Sequence, residues 1–221
     1  MTPVEWTIPV ADSQTTAIYD EAVPGNAVFI CAHGAGGNIT DRATLATANA
    51  LRAKGIGVVR FNFLYREKKS GRPDPMPKLM ETFKAVVAYA RDKLNPGRLI
   101  IGGRSMGGRA ASMLAAEGYD ADGLLLLAYP LHPPGKPDQL RDAHLPRIRM
   151  PVLCFNGTRD PFCTRELMER ALGNVTAPWE MHWVEQADHS FHVPRASGRT
   201  DAEVLARIGD VSRSWIGRMS A

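Results

Sequence analysis

Short apolar, β-branched runs alternate along this chain with segments whose apolar residues recur every three or four positions. The short runs predict strands at 16–20, 27–32, 57–61, 99–103, 124–128, 152–156 and 181–184. Several are apolar throughout rather than alternating, as expected for parallel strands covered on both faces. Leu79, Phe83, Val86, Val87, Ala90 and Leu94 predict a helix that starts near Pro77 and stops at Asn95-Pro96-Gly97. Near the end, Thr200 and Glu203 fit a capping box, and Val204, Ile208, Val211 and Trp215 form one apolar stripe behind it. Strands alternating with helices predict an α/β architecture: a mostly parallel central sheet with helices on both faces.

One connection breaks the rhythm. Segment 129–150 carries five prolines and only a hint of helix at 138–143. Long connections of this kind are often functional. This one is too short for a large cap domain, so an open site is expected. Neither an internal repeat nor a low-complexity linker divides the chain, and its 221 residues read as a single domain, 1–221.

Composition excludes several classes. The net charge of +4 is scattered. Its densest stretch, Arg66-Glu67-Lys68-Lys69 with Arg72, reads as a solvated loop, so no nucleic-acid partner is expected. The N-terminus lacks a basic region followed by an apolar stretch, and the longest apolar run, near 124–128, is far too short to span a bilayer. No membrane partner is expected either. The three cysteines, Cys31, Cys154 and Cys163, are odd in number, and the first two lie inside apolar runs. Buried free thiols imply a reducing compartment, hence a cytoplasmic location.

The chemistry concentrates at three strand ends. Gly103-Arg104-Ser105-Met106-Gly107 matches G-x-S-x-G, follows the apolar Leu99-Ile100-Ile101 and precedes a helix-like stretch. That strand–turn–helix context is what a nucleophile elbow requires. His33-Gly34-Ala35-Gly36-Gly37 follows strand 27–32, where a second oxyanion donor belongs, so the N–H groups of Met106 and Ala35 are the candidate pair. Ile39 occupies the last position of a would-be G-x-G-x-x-G, which disfavours dinucleotide binding. An acid should follow the serine and a histidine should come last. Asp160, after strand 152–156, and His189, after strand 181–184, meet that order. His189 would accept the Ser105 proton while Asp160 holds the imidazole tautomer. Asp188 is a rival acid and His192 a rival base. His182, His189 and His192 lack recognisable metal-ligand spacing. Tyr129, Pro130 and His132 leave the same sheet edge and are expected to line one wall of the site.

The runs 31–37, 102–109, 129–136, 141–145, 157–160 and 188–191 together resemble one branch of the α/β hydrolases. This is the hydrolase-like family shared by bacterial dienelactone-hydrolase-type proteins, a testis-expressed protein and a subunit of the NSL chromatin complex. The resemblance covers almost the whole chain after residue 20 and implies an α/β-hydrolase fold with Ser105, Asp160 and His189 as its catalytic positions. Some members act as scaffolds. The expectation is therefore a serine hydrolase cleaving a small carboxylic ester or thioester, with no cofactor and no metal. The alternative is a non-catalytic interaction module that kept the fold.

Overall fold

A computed structural model describes residues 2–22 and 26–219. Its strands are β1 Val4–Val10, β2 Ser13–Asp20, β3 Ala27–Ala32, β4 Ile56–Phe61, β5 Arg98–Arg104, β6 Gly123–Leu127, β7 Val152–Gly157 and β8 Trp179–Val184. They form one sheet in the order β1-β2-β4-β3-β5-β6-β7-β8. The first two pairings, β1 with β2 and β2 with β4, are antiparallel; from β4 through β3, β5, β6 and β7 to β8 every pairing is parallel. The runs predicted at 27–32, 99–103, 124–128 and 152–156, apolar but for Asn156 at the end of the last, form the centre of the sheet, β3, β5, β6 and β7, where both faces are covered.

The helices are α1 Arg42–Arg52, α2 Leu64–Glu67, α3 Met76–Leu94, α4 Met106–Ala116, α5 Arg165–Leu172 and α6 Asp201–Gly217. On one face, Leu79, Phe83 and Val87 of α3 and Leu114 of α4 pack over Ile30, Ile101, Leu126 and Cys154. On the other, Leu51 of α1 and Ile208 and Trp215 of α6 pack over Phe29, Ile100, Leu125 and Leu153. Burying each large side chain contributes about 1.5–3 kcal/mol, so both layers hold the sheet firmly. α3 ends where Asn95 turns left-handed, with φ of 40°. α6 starts in the expected capping box between Thr200 and Glu203.

Three readings need revision. β1 was not among the predicted strands. Its Val4, Trp6, Ile8 and Val10 do alternate, but Pro9 interrupts the run, and proline is tolerated in a sheet only at an edge such as this one. The hint of helix at 138–143 is not realised; a single 3-10 turn forms instead at Leu145–Arg147. The basic run does not lie wholly in a loop, because Arg66 and Glu67 close α2, and the Glu67 carboxylate accepts the Thr16 N–H at 2.8 Å. Lys68, Lys69 and Arg72 are exposed as expected. Segment 129–150 adds no large cap, and among the described residues no helix is long and apolar enough to cross a membrane.

Candidate active site

β5 and α4 meet at Ser105, whose backbone sits at φ 50° and ψ −116°. Such a conformation costs a non-glycine residue about 1–3 kcal/mol and survives only where its surroundings over-determine it. Here both sides are fixed. The Ser105 N–H donates to Leu127 O at 2.9 Å, and its carbonyl accepts from the Arg109 N–H at 3.0 Å. The flanking glycines follow from close packing on β3. A Cβ at Gly103 would lie 2.3 Å from the Ala32 carbonyl oxygen, and one at Gly107 would lie 2.5 Å from the same atom.

The loops after β7 and β8 bring their polar residues to that serine. His189 Nε2 lies 2.9 Å from Ser105 Oγ, and His189 Nδ1 lies 2.8 Å from Asp160 Oδ2. The Asp160 side chain is fully buried and holds three donors. Its Oδ1 accepts the Phe162 N–H at 2.9 Å, and its Oδ2 accepts Asn156 Nδ2–H at 3.2 Å as well as the imidazole. Asn156 is itself clamped to both backbone groups of Tyr129, at 3.2 and 3.1 Å. The Phe162 ring meets the His189 ring edge-on at 4.5 Å. With the carboxylate on Nδ1, that nitrogen carries the proton and Nε2 is left to accept one from the serine.

The rivals are occupied elsewhere. Asp188 Oδ1 accepts the N–H groups of Ser190 and His192, which shapes the turn carrying His189. His192 pairs with Asp201 at 3.0 Å, and that carboxylate raises its pKa. His182 pairs with Glu180 at 2.6 Å. Among the described residues no group of three histidine, cysteine or acidic side chains could hold a metal. Cys163 is buried and its thiol pKa is pushed up by desolvation, so it is a packing residue.

The loop from His33 to Gly37 is built around a neutral imidazole. His33 Nε2 accepts the Phe63 N–H at 3.2 Å, so Nδ1 carries the proton and donates to Gly34 O at 2.7 Å. Burial holds the His33 pKa below its ordinary value. Gly34 O also accepts the Gly37 N–H at 3.0 Å, and the Tyr65 hydroxyl donates to Ala35 O at 2.7 Å. In a trans peptide the C=O and N–H point opposite ways. Aiming Gly34 O at the His33 ring therefore turns the Ala35 N–H outward, and Ala35 lines both clefts beside Ser105. Among the described residues neither the Ala35 nor the Met106 N–H has an acceptor.

Ser105 stands between two clefts. One, about 420 Å³, is lined by Gly34–Gly37, Asp41, Arg104, His189 and Ser190. The other, about 460 Å³, is lined by Met76, Leu79, Met106, Arg109, Pro130 and Arg141 among others. Of the three residues expected to form a wall, only Pro130 does. Tyr129 is completely buried and donates its hydroxyl to Arg141 O at 2.8 Å. His132 is also buried, with Nδ1 2.9 Å from Pro133 O. The strap begins just past β6, where Ala128 has φ 52°, and both rings are buried beneath it rather than turned to the cleft.

Two arginines complete the site: Arg104, whose elbow position in the sequence offers either a substrate contact or a structural role, and Arg109, which escaped the sequence reading. Arg104 Nη2 donates to the His189 carbonyl at 2.7 Å while its guanidinium lies over the Phe191 ring at 5.6 Å, so the elbow itself holds the histidine loop. Arg109 lines the second cleft. Its place four residues after Ser105 in a helix could have revealed this, since such positions share a face.

A family model for the alpha/beta hydrolase domain matches residues 25–217. The chain belongs to the α/β-hydrolase family. Among solved structures, an alpha-beta serine hydrolase homologue from Coxiella burnetii superposes with a TM-score of 0.76 at 22% identity, covering 94% of this chain and 98% of that one. A serine hydrolase without lid from Xanthomonas campestris gives a TM-score of 0.75 at 21% identity, covering 96% and 94%. These likenesses show the fold. A curated relative, the quorum-quenching protein AidA of Acinetobacter baumannii, is 36% identical over 95 residues, 41% of this α/β hydrolase and 31% of that protein. The match thus spans under a third of that relative's length.

Proposed function

We propose that this hydrolase cleaves a small carboxylic ester or thioester through an acyl-enzyme on Ser105. The observation that carries the reading is the continuous line from Ser105 Oγ through His189 to the buried Asp160, beside two N–H groups without acceptors among the described residues. In the first half-reaction Ser105 Oγ attacks the carbonyl carbon as its proton passes to His189 Nε2. Asp160 stabilises the resulting imidazolium. The Met106 and Ala35 N–H groups receive the developing oxyanion, a term worth about 3–4 kcal/mol per donor in related chemistry. His189 then returns the proton to the departing alkoxide or thiolate. In the second half-reaction His189 takes a proton from water, whose oxygen attacks the acyl carbon, and Ser105 leaves with that proton.

The histidine borders the cleft with Arg104 and Ser190, so the leaving group, which must reach its proton, occupies that side. The acyl group then occupies the other cleft. Both open to the surface, which suits small-molecule substrates rather than a membrane or nucleic acid. The free, buried thiols Cys31, Cys154 and Cys163 suit a reducing, cytoplasmic setting. A fluorophosphonate probe should label the protein and fail to label Ser105→Ala, and a panel of acyl esters should be hydrolysed by the former alone. Absence of labelling in the folded wild-type chain would overturn the reading and leave a non-catalytic interaction module.

A further inference from the structure

The acyl-side cleft is apolar along Met76, Leu79, Pro130 and Pro134, yet two guanidinium groups border it. Arg109 makes no side-chain hydrogen bond among the described residues, and its Nε is buried without a partner. Arg141 makes a single long one, from Nη1 to Pro130 O at 3.5 Å. Neither takes part in an ion pair among the described residues. Asp74, the carboxylate in the same lining, has Lys78 3.9 Å from its Oδ1, while its Oδ2 is buried without a hydrogen-bond partner among the described residues. Burial and the facing Arg109 both hold the Arg141 pKa below its ordinary value, so the two cations repel each other across the cleft.

The backbone beneath them is fastened. Tyr129 hydroxyl donates to Arg141 O, and Ser112 hydroxyl donates to Arg109 O at 2.8 Å. Ser112 Oγ lies 2.7 Å from His144 Nε2. Desolvation, with Arg109 and Arg147 nearby, pushes the His144 pKa down to about 4, so this ring adds no third cation. Two half-buried guanidiniums with almost no internal partners, on anchored backbone beside an apolar wall, suit an anion, since each presents a planar fork matched to a carboxylate. Arg109 lies one helical turn beyond Ser105 and both line this cleft, so the receptor is a short acyl chain away from the reacting carbon.

We infer that Arg109 and Arg141 form a subsite for an acyl group whose far end carries a carboxylate, making half-esters of short dicarboxylic acids the preferred substrates. The inference rests on the hydrolase reading of Ser105 and deepens it. The test compares kcat/KM for monoethyl adipate and ethyl hexanoate, which have the same acyl chain length and differ in the terminal charge, in a pH-stat. The wild-type protein should favour the charged ester by about 10- to 100-fold, the range expected for hydrogen bonds to a charged group. That ratio should fall at least tenfold in Arg109→Gln and in Arg141→Gln. Free adipate should bind Ser105→Ala, measured by calorimetry, and bind at least tenfold more weakly when either arginine is also replaced. Fluorophosphonate labelling reports the elbow separately. A labelled wild-type protein that shows no preference for the charged ester and no adipate binding overturns the subsite while leaving the hydrolase. An unlabelled protein that still binds adipate through these arginines supports the subsite and overturns the hydrolase. The wild-type measurements need no variant, so a misfolded arginine mutant cannot rescue the idea.

Discussion

Asp160→Asn is the most informative single perturbation of the proposed machinery. All three groups that face this carboxylate are donors: the Phe162 N–H, Asn156 Nδ2–H and His189 Nδ1–H. A carboxamide offers one acceptor oxygen and one NH2. Asn156 cannot turn to compensate, because both ends of its amide are bonded to Tyr129. Placing the new NH2 toward Phe162 strands one buried backbone donor, whereas placing it toward Asn156 and His189 strands two. The first orientation therefore prevails, at a stability cost of about 1–3 kcal/mol for the orphaned N–H. It keeps the imidazole oriented but removes the negative charge that stabilises the imidazolium. In Ser-His-Asp enzymes the corresponding change costs about 10⁴ in kcat; there it also inverts the tautomer. With the tautomer retained, the loss here should be smaller, on the order of 10²- to 10³-fold, the exponent being reduced by the orientation argument alone. Burst kinetics with a 4-nitrophenyl ester would measure acylation directly, alongside a denaturant melt. Acylation within tenfold of wild type would refute the role given to Asp160. A loss of 10⁴ or more in a protein of unchanged stability would refute the orientation argument.

Ser105→Gly should melt a few degrees higher than Ser105→Ala, because glycine accepts φ 50° and relieves about 1 kcal/mol of strain; equal melting temperatures by calorimetry would remove the strain from the elbow. The depressed His144 pKa, about 4 against an ordinary 6.5, means the unfolded chain binds this proton first as pH falls. Stability should therefore be fully present above about pH 6.5 and decline toward pH 4, and His144→Gln should flatten that part of a melting-temperature profile. Arg104→Met should slow acylation at least tenfold by releasing the His189 carbonyl, with Arg104→Lys restoring part of the rate. If Arg104→Met alters only the melting temperature, the elbow arginine is structural.

The central sheet and the three strand-end loops could be read from residue types because each obeys a local rule. Continuous apolar runs mark strands covered twice, and G-x-S-x-G marks a turn with no space for a Cβ beside Ala32. β1 was obscured by Pro9, whose placement at a sheet edge is a tertiary fact. The fate of Tyr129 and His132 was equally hidden. Their position after β6 put them near the site, but whether a ring faces cleft or core depends on how the strap folds back, which no periodicity announces. Arg141 became visible as a cleft residue only once the strap folded back and its N–H met Leu131 O at 2.7 Å.

β3 and β5 are direct neighbours, with Ala32 opposite Gly103. The His33–Gly37 loop and the elbow thus leave the sheet from the same rung, so the proposed donors on Ala35 and Met106 are brought side by side by adjacent strands rather than by a movable lid. Much of the larger cleft's lining comes from other parts of the chain: the start of α3, the strap after β6 and the turn bearing Phe162. Substitutions at Met76, Pro130, Pro134 or Arg141 would therefore reshape this cleft while leaving the proposed reaction centre of Ser105, Asp160 and His189 in place.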